Sequence, residues 1–435
     1  MSTSIHADVL IIGAGPSGLA SAASAAESDA HIHIIDDNFF SGGQIWRGGA
    51  HVQKDARARA LWNHLSNLPN VTFHFQTKVV LAQKLADGQF KIIVESNQTT
   101  RIFIAHKLII STGARELLLP FPGWTLPGVT GAGGLQALSK NGFPVAGKRV
   151  VVAGSGPLLL AVADSLIKRG AIVTHIFEQT SFKQLSQFAF NLFSTPNKLL
   201  QAISLWFNLR QIRYESDSYV TAAQGTTHLQ SIQINRKGQL HTIECDYLAC
   251  GYGLIPNVEL AASLMCQLSE DGHAQRVSVD EYQQTSEPHI YCAGEGTGIG
   301  GVDLSLAEGR IAGYAATDNI AKITSGMIKA RQNGKRFGLA LQNTFSLRPE
   351  LRQLCQPDTL VCRCEDVTYQ ALQQHKNWRS AKLHTRCGMG ACQGRICGAA
   401  NRFLFSWEKD QGRLPLANAT IASLRLLKDS TTKQP

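Results

Sequence analysis

The 435-residue chain has no apolar run approaching the roughly 18 residues that a membrane-spanning helix needs. Its first residues, MSTSIHADVLIIGAGPSG, carry no basic leader and no cleavage site, so no secretory signal is expected and the cytoplasm is the expected compartment. Charged residues are only 17% against 44% hydrophobic, a balance that suits large buried sheets and disfavours a disordered chain. No acid–base pair stands out. His175, His241 and His273 are isolated histidines, the kind that usually serve as surface or core residues, so no catalytic residue is assigned.

What the chain does have is unevenly spread. From position 322 onward it carries 19 Lys and Arg against 7 Asp and Glu, a balance of +12, while the preceding 321 residues balance at −2. No nucleic-acid recognition motif accompanies this charge, so nucleic acid is not the expected partner. Six of the ten cysteines (Cys355, Cys362, Cys364, Cys387, Cys392, Cys397) fall in the last 81 residues. Without a secretory signal, such a cluster points to a metal centre before disulfides.

Residues 7–12 (ADVLII) read as a buried strand, GAGPSG at 13–18 as a glycine turn, and the small residues that follow as a helix. In such a unit Gly13 permits the tight turn, Gly15 lets the backbone approach a pyrophosphate, and Gly18 packs helix on strand. Pro16 and Ser17 open the helix, whose N–H groups face the phosphates. A second strand at 31–35 ends at Asp36, 18 positions after Gly18, where an acid binds the adenosine ribose; Asp37 is placed to share or replace that role. This is a dinucleotide site that the motif alone does not assign to FAD or NAD.

Three further stretches favour FAD because they resemble those of the flavoproteins related to thioredoxin reductase. They are GGQI at 42–45 with Gly43 and Gln44, the strand and crossover at 108–123 with Thr112 and Gly113, and HIYCAGEGTG at 289–298 with Gly294 and Glu295. The resemblance implies that Glu295 contacts the ribitol or pyrophosphate region.

KRVVVAGSGPLLL at 148–160 repeats the pattern, with Gly154 and Gly156, and the next strand ends at Glu178. Leu159 stands at the third glycine position, where a branched side chain should push helix from strand. Glu178 favours a free ribose 2′-OH over a 2′-phosphate, so a second nucleotide of the NAD kind is allowed, or the domain keeps the fold without a ligand. No C-x-x-C lies in this domain, which removes disulfide-reductase chemistry.

Cys362, Cys364, Cys387 and Cys392 are spaced C-x-C-x22-C-x4-C, suited to a [2Fe–2S] cluster between two short loops; zinc is the rival, and Cys397 the rival for Cys392. Gly388, Gly390 and Gly394 leave N–H groups free for the sulfurs. Arg363, Arg386 and Arg395 lie next to the ligands or close by, and nearby cations are expected to favour the reduced, more negative state and raise the cluster potential.

Taken together, GAGPSG, GGQIWR, GGLQAL (133–138), GSGPLLL, GYGLIPN (251–257), CAGEGTGIGG, PDTLVCRCEDVT (357–368) and RCGMGACQGRICG resemble the family of bacterial opine oxidase A subunits, (hydroxy)proline dehydrogenase α subunits and hydrogen cyanide synthase B subunits. The resemblance implies an α/β chain with two Rossmann-like dinucleotide-binding domains, the second inserted in the first, and a small C-terminal [2Fe–2S] domain. The boundaries expected are 1–120 with 245–321 for FAD, 121–244 for the second nucleotide, 322–358 as connector and 359–435 for the cluster. It implies an electron-transfer subunit of an amino-acid or opine dehydrogenase, and ATP in place of NAD as a nucleotide the inserted domain can hold. The implied partners are a small ferredoxin-like subunit and a catalytic flavoprotein subunit, with room for peripheral membrane association of the complex. The competing readings are a stand-alone NADH-dependent reductase of ferredoxin type and a non-enzymatic iron–sulfur carrier or sensor.

Overall fold

The computed structural model describes residues 4–49, 53–97, 99–191, 204, 207–272, 274–408 and 414–426. His273 lies outside them. The chain divides into two compact units, one of Met1–Arg115, Pro256–Gly338 and Gln411–Pro435, the other of Glu116–Ile255 and Leu339–Asp410.

The first unit is built on a seven-stranded sheet. Six strands are β1 (Ser4–Ile12), β2 (Ile32–Ile35), β3 (Val71–His74), β4 (Lys78–Lys84), β5 (Phe90–Ser96) and β6 (Thr99–Ile110), in the order β3-β2-β1-β6-β5-β4. β1 runs parallel to β2 and β6, and strand Ile290–Cys292 runs parallel to the last residues of β6. From Val9 to Ile12 β1 is apolar without alternation because both its faces are covered there. Val9 and Ile11 join the core that includes helix α1 (Pro16–Ala25), and Leu10 and Ile12 join the opposite core. Truncating Leu10 to Ala would cost about 2–5 kcal/mol.

Helix Gly301–Ala316 packs against α1 through glycine. A Cβ on Gly309 would stand 2.3 Å from Ser17 O, and one on Gly313 2.2 Å from Ser21 O. This approach brings the Gly294 turn onto Ser17, whose Oγ would lie 2.5 Å from a Cβ on Gly294.

The second unit holds a five-stranded parallel sheet in the order Arg213–Glu215, Ile172–Glu178, Arg149–Gly154, Tyr247–Gly251, Val129–Gly131. Leu159 is 1% exposed and packs with Val150, Val152 and Val162 in the core between sheet and helix Leu158–Ile167. The same unit contains the cysteine-bearing segment, packed around Val361, Leu372, Trp378 and Trp407.

The cluster domain was expected to run to the C-terminus, but residues 414–426 lie on the first sheet. Leu416 N donates to Val80 O (2.8 Å), Lys78 Nζ to Asn418 O (2.6 Å) and Thr420 N to Glu95 Oε1 (2.6 Å). These are bonds to residues of β4 and β5 far away in sequence, which local pattern does not reveal.

Candidate flavin cradle and thiol centre

The first glycine turn is shaped by its neighbours. Gly13 has φ +106°, and a Cβ there would meet Ser111 O at 2.2 Å; a Cβ on Gly18 would meet Gly13 O at 1.8 Å. Gly15 faces open space, its nearest neighbour for an added Cβ being Gly43 Cα at 3.9 Å. Gly42 N donates to Ala14 O (2.7 Å), so the loop carrying Gly43 and Gln44 is held against the turn. Asp36 is buried. Its Oδ2 accepts from Ala14 N (2.6 Å), and its Oδ1 from Asn38 N (2.8 Å) and Asn38 Nδ2 (2.7 Å). Asp36 thus braces the turn, while Asp37 is exposed and its Oδ1 accepts from Asn38 Nδ2 (3.2 Å). Thr112 and Asn257 exchange hydrogen bonds of 2.8 and 2.9 Å across the crossover, and Asn257 N donates to Gly113 O (2.9 Å).

Glu295 follows Gly294. The loss of water around its carboxyl, alone, pushes it up to about 7, and it has no side-chain hydrogen-bond partner among the described residues. A desolvated carboxyl without a partner beside an open glycine cradle fits a hydroxyl-rich ligand, as the ribityl chain of FAD is.

Glu308 was not singled out from the sequence. It is fully buried on helix Gly301–Ala316, and its Oε2 accepts from Gly294 N (3.0 Å) and Thr297 Oγ1 (2.7 Å). Lys335 Nζ stands 4.0 Å from Oε1. Burial raises the Glu308 pKa and lowers that of Lys335. Nothing in sequence spacing links position 308 to position 294; only the turn of the helix does.

The second turn is arranged differently. Gly154 (φ +133°) would place a Cβ 1.8 Å from Gly251 O, so the turn itself is tight. Glu178, however, is 1% exposed and faces inward: Oε2 accepts from Gly156 N (2.7 Å) and Oε1 from Thr180 N (2.9 Å).

Five cysteines gather in the C-terminal segment. The Sγ atoms of Cys362, Cys387 and Cys397 lie within 4.8 Å of one another, and all three residues are buried. Cys392 exchanges thiol contacts with Cys364 and Cys397, and Cys364 is exposed. The thiols of Cys387 and Cys397 donate to Cys362 and hold its pKa well below that of an ordinary thiol, and Cys397 lowers that of Cys392 in the same way. Backbone N–H groups of Gly388 and Glu365 reach Cys362, and those of Ile396 and Gly394 reach Cys392. Gly390 is required for the approach of the two loops, since a Cβ there would fall 2.3 Å from Cys364 Cβ. Asn401, fully buried and missed by sequence reasoning, donates from Nδ2 to Cys387 Sγ (3.4 Å). This soft, N–H-lined donor set fits a thiolate-bound metal centre.

The arginines differ from expectation. Arg386 is ion-paired with Glu365 (2.7 Å), Arg363 stacks over the Trp124 ring at 5.3 Å, and Arg395 donates to Gln393 (3.1 Å). The Arg386 charge is offset by a carboxylate, so it is not a free cation beside the thiols.

Among the described residues no helix is long and apolar enough to cross a membrane. Residues 7–316 match the pyridine nucleotide-disulphide oxidoreductase family. The chain is 30% identical to hydrogen cyanide synthase subunit HcnB of Pseudomonas aeruginosa, over 89% of this chain and 90% of that one. It is also 30% identical to the opine oxidase A subunit of Agrobacterium tumefaciens, over 90% and 84%. The fold resembles that of L-proline dehydrogenase from P. horikoshii (TM-score 0.71, 18% identity, 97% of this chain and 80% of that one). It also resembles T. acidophilum thioredoxin reductase (TM-score 0.56, 23% identity, 73% and 99%). With its two glycine-turn sheets and flavin cradle, the chain belongs to the pyridine nucleotide-disulphide oxidoreductase family, alongside HcnB and the opine oxidase A subunit, and is a flavin-dependent oxidoreductase.

Proposed function

We propose that the chain is the electron-transfer subunit of a multi-subunit dehydrogenase that oxidises a C–N bond of an amino acid or opine. The observation that carries this reading is the buried thiol centre at the end of a flavin-binding chain. Its named relatives, HcnB and the opine oxidase A subunit, are themselves parts of larger enzymes by name. When bound, FAD takes up two electrons and a [2Fe–2S] centre one at a time, so together they divide a two-electron oxidation into single transfers. Oxidation of an H–C–N–H unit to C=N releases two electrons and two protons. The partner flavoprotein subunit performs that step, and this chain passes the electrons to an acceptor.

The chain's own residues hold and insulate. Gly15 admits the pyrophosphate, Gly13 and Gly18 close the turn against its neighbours, Asp36 braces it, Asp37 faces the ribose, and Glu295 receives a ribityl hydroxyl. Cys362, Cys364, Cys387 and Cys392 hold the cluster, with Cys397 the rival for the fourth place because it lies within 4.8 Å of Cys362 and Cys387. Cys392→Ser is expected to abolish the reduced-cluster EPR signal and Cys397→Ser to retain it; the reverse exchanges their roles.

The function is tested by purifying the native complex, identifying its subunits, and screening amino acids and opines for flavin reduction. Iron and acid-labile sulfide should accompany the chain, and zinc in their place would remove the relay. A lone monomer whose flavin is bleached by NADH would overturn the reading in favour of the stand-alone reductase.

A further inference from the structure

At the second glycine turn of the inserted domain, Gly156 N, Ser155 Oγ and the Gln179 amide each already have a partner from the same chain. Gly156 N, the donor nearest to a bound pyrophosphate in such turns, is taken by Glu178 Oε2 at 2.7 Å. The acid expected on a ribose therefore faces the turn instead. Ser155 Oγ donates to Phe345 O (3.4 Å). Gln179, 2% exposed, donates from Nε2 to Ser155 Oγ (3.0 Å) and to Ser346 O (2.9 Å), and its Oε1 accepts from Arg348 N (3.0 Å). The Phe345 ring covers the turn: a Cβ on Gly156 would find it as nearest neighbour at 3.9 Å, and the ring also packs edge-on to Phe188 at 5.2 Å. Arg348 fastens the far end, pairing with Asp217 (3.1 Å), donating to Gln179 O (3.4 Å) and stacking over Tyr219 at 4.8 Å.

We propose that Phe345–Arg348 is a tethered occupant of the second glycine turn, which closes that turn to NADH. The backbone carbonyls of Phe345 and Ser346 accept the hydrogen bonds that ligand oxygens would accept, and the Phe345 ring covers the glycine along which a pyrophosphate would pass. The physical advantage of the segment is its tether. A short intramolecular ligand acts at an effective concentration of about millimolar and loses little translational freedom on docking. A free dinucleotide must displace hydrogen bonds worth roughly 0.5–1.5 kcal/mol each before making its own. This inference stands apart from the electron-transfer reading, because it concerns what binds the inserted domain and not what the flavin reduces.

Equilibrium dialysis of NADH against the full-length holoprotein tests it. The wild type is expected to show no saturable binding up to about 1 mM, the upper end of ordinary ligand ranges. The variant Phe345→Ala with Arg348→Ala is expected to bind saturably, at least tenfold more tightly. Arg348→Ala alone removes a partly exposed side chain and is expected to give a smaller gain in the same direction, should the double variant fail to fold. Saturable binding by the wild type that neither variant tightens would overturn the proposal, and so would no binding by any of the three, since closure would then not come from the segment. Equally tight NADH binding by the wild type and the variants, without flavin bleaching, would sink the closure and leave the electron-transfer role intact. Failure of every amine to reduce the complex would do the opposite.

Discussion

Glu295 makes the flavin cradle sensitive to pH before the flavin arrives. Burial lifts its carboxyl from 4.5 to about 7, with no hydrogen bond to offset the cost of charging it. The folded form therefore holds this proton more tightly than the unfolded chain does. That contribution to stability is fully present below about 4.5 and is lost as the pH rises through 7. Each pKa unit corresponds to about 1.4 kcal/mol, so the loss between pH 4.5 and 8 is on the order of 3 kcal/mol. Glu295→Gln has no proton to lose and should lack that slope. The assay is urea unfolding of the FAD-free chain at pH 5 and pH 8, comparing wild type with Glu295→Gln. The wild type should lose about 2–3 kcal/mol more than the variant over this interval, and added FAD should flatten the difference by supplying a hydroxyl to the carboxylate. Parallel pH profiles for the two proteins in the absence of FAD would refute the assignment of Glu295 as the unpartnered group of the cradle.

Glu308→Ala leaves Gly294 N and Thr297 Oγ1 buried without their acceptor. At about 1–3 kcal/mol for each orphaned donor, FAD affinity measured by fluorescence should fall at least tenfold, while Glu308→Gln, which keeps an acceptor, should lose less. Gly309→Val puts a Cβ 2.3 Å from Ser17 O, so helix Gly301–Ala316 must move off α1, with about 1–3 kcal/mol of lost stability and reduced FAD content on purification. Asn401→Leu removes the N–H donor to Cys387 Sγ, and the cluster potential read by redox titration should become more negative, because that donor favours the reduced, more anionic state. An unchanged potential would show that the 3.4 Å contact does not reach the metal-bound sulfur.

The sequence alone was enough for the two strand–glycine–helix units and for the cysteine-rich end. Those signals are local. A positive φ at Gly13 or Gly154, a run of residues buried on both faces and a C-x-C pair depend on near neighbours, and residue type reports them directly. The partners were decided by tertiary structure. Position 308 becomes the acceptor for Gly294 N only because one helix face turns it there, and Lys335 joins it from another helix. Cys397, which opens helix Cys397–Phe405, stands within 4.8 Å of Cys362, which spacing along the chain does not express. Arg386 reads as a free positive charge until Glu365 is found beside it. Leu159 looks like a defect in a fingerprint, and in the fold it is a well-packed core residue. Phe345 carries no motif at all, yet its place over Gly156 bears on which ligands the inserted domain admits. Elements form from local preference, whereas a site also requires that distant side chains meet, and that depends on how the elements pack.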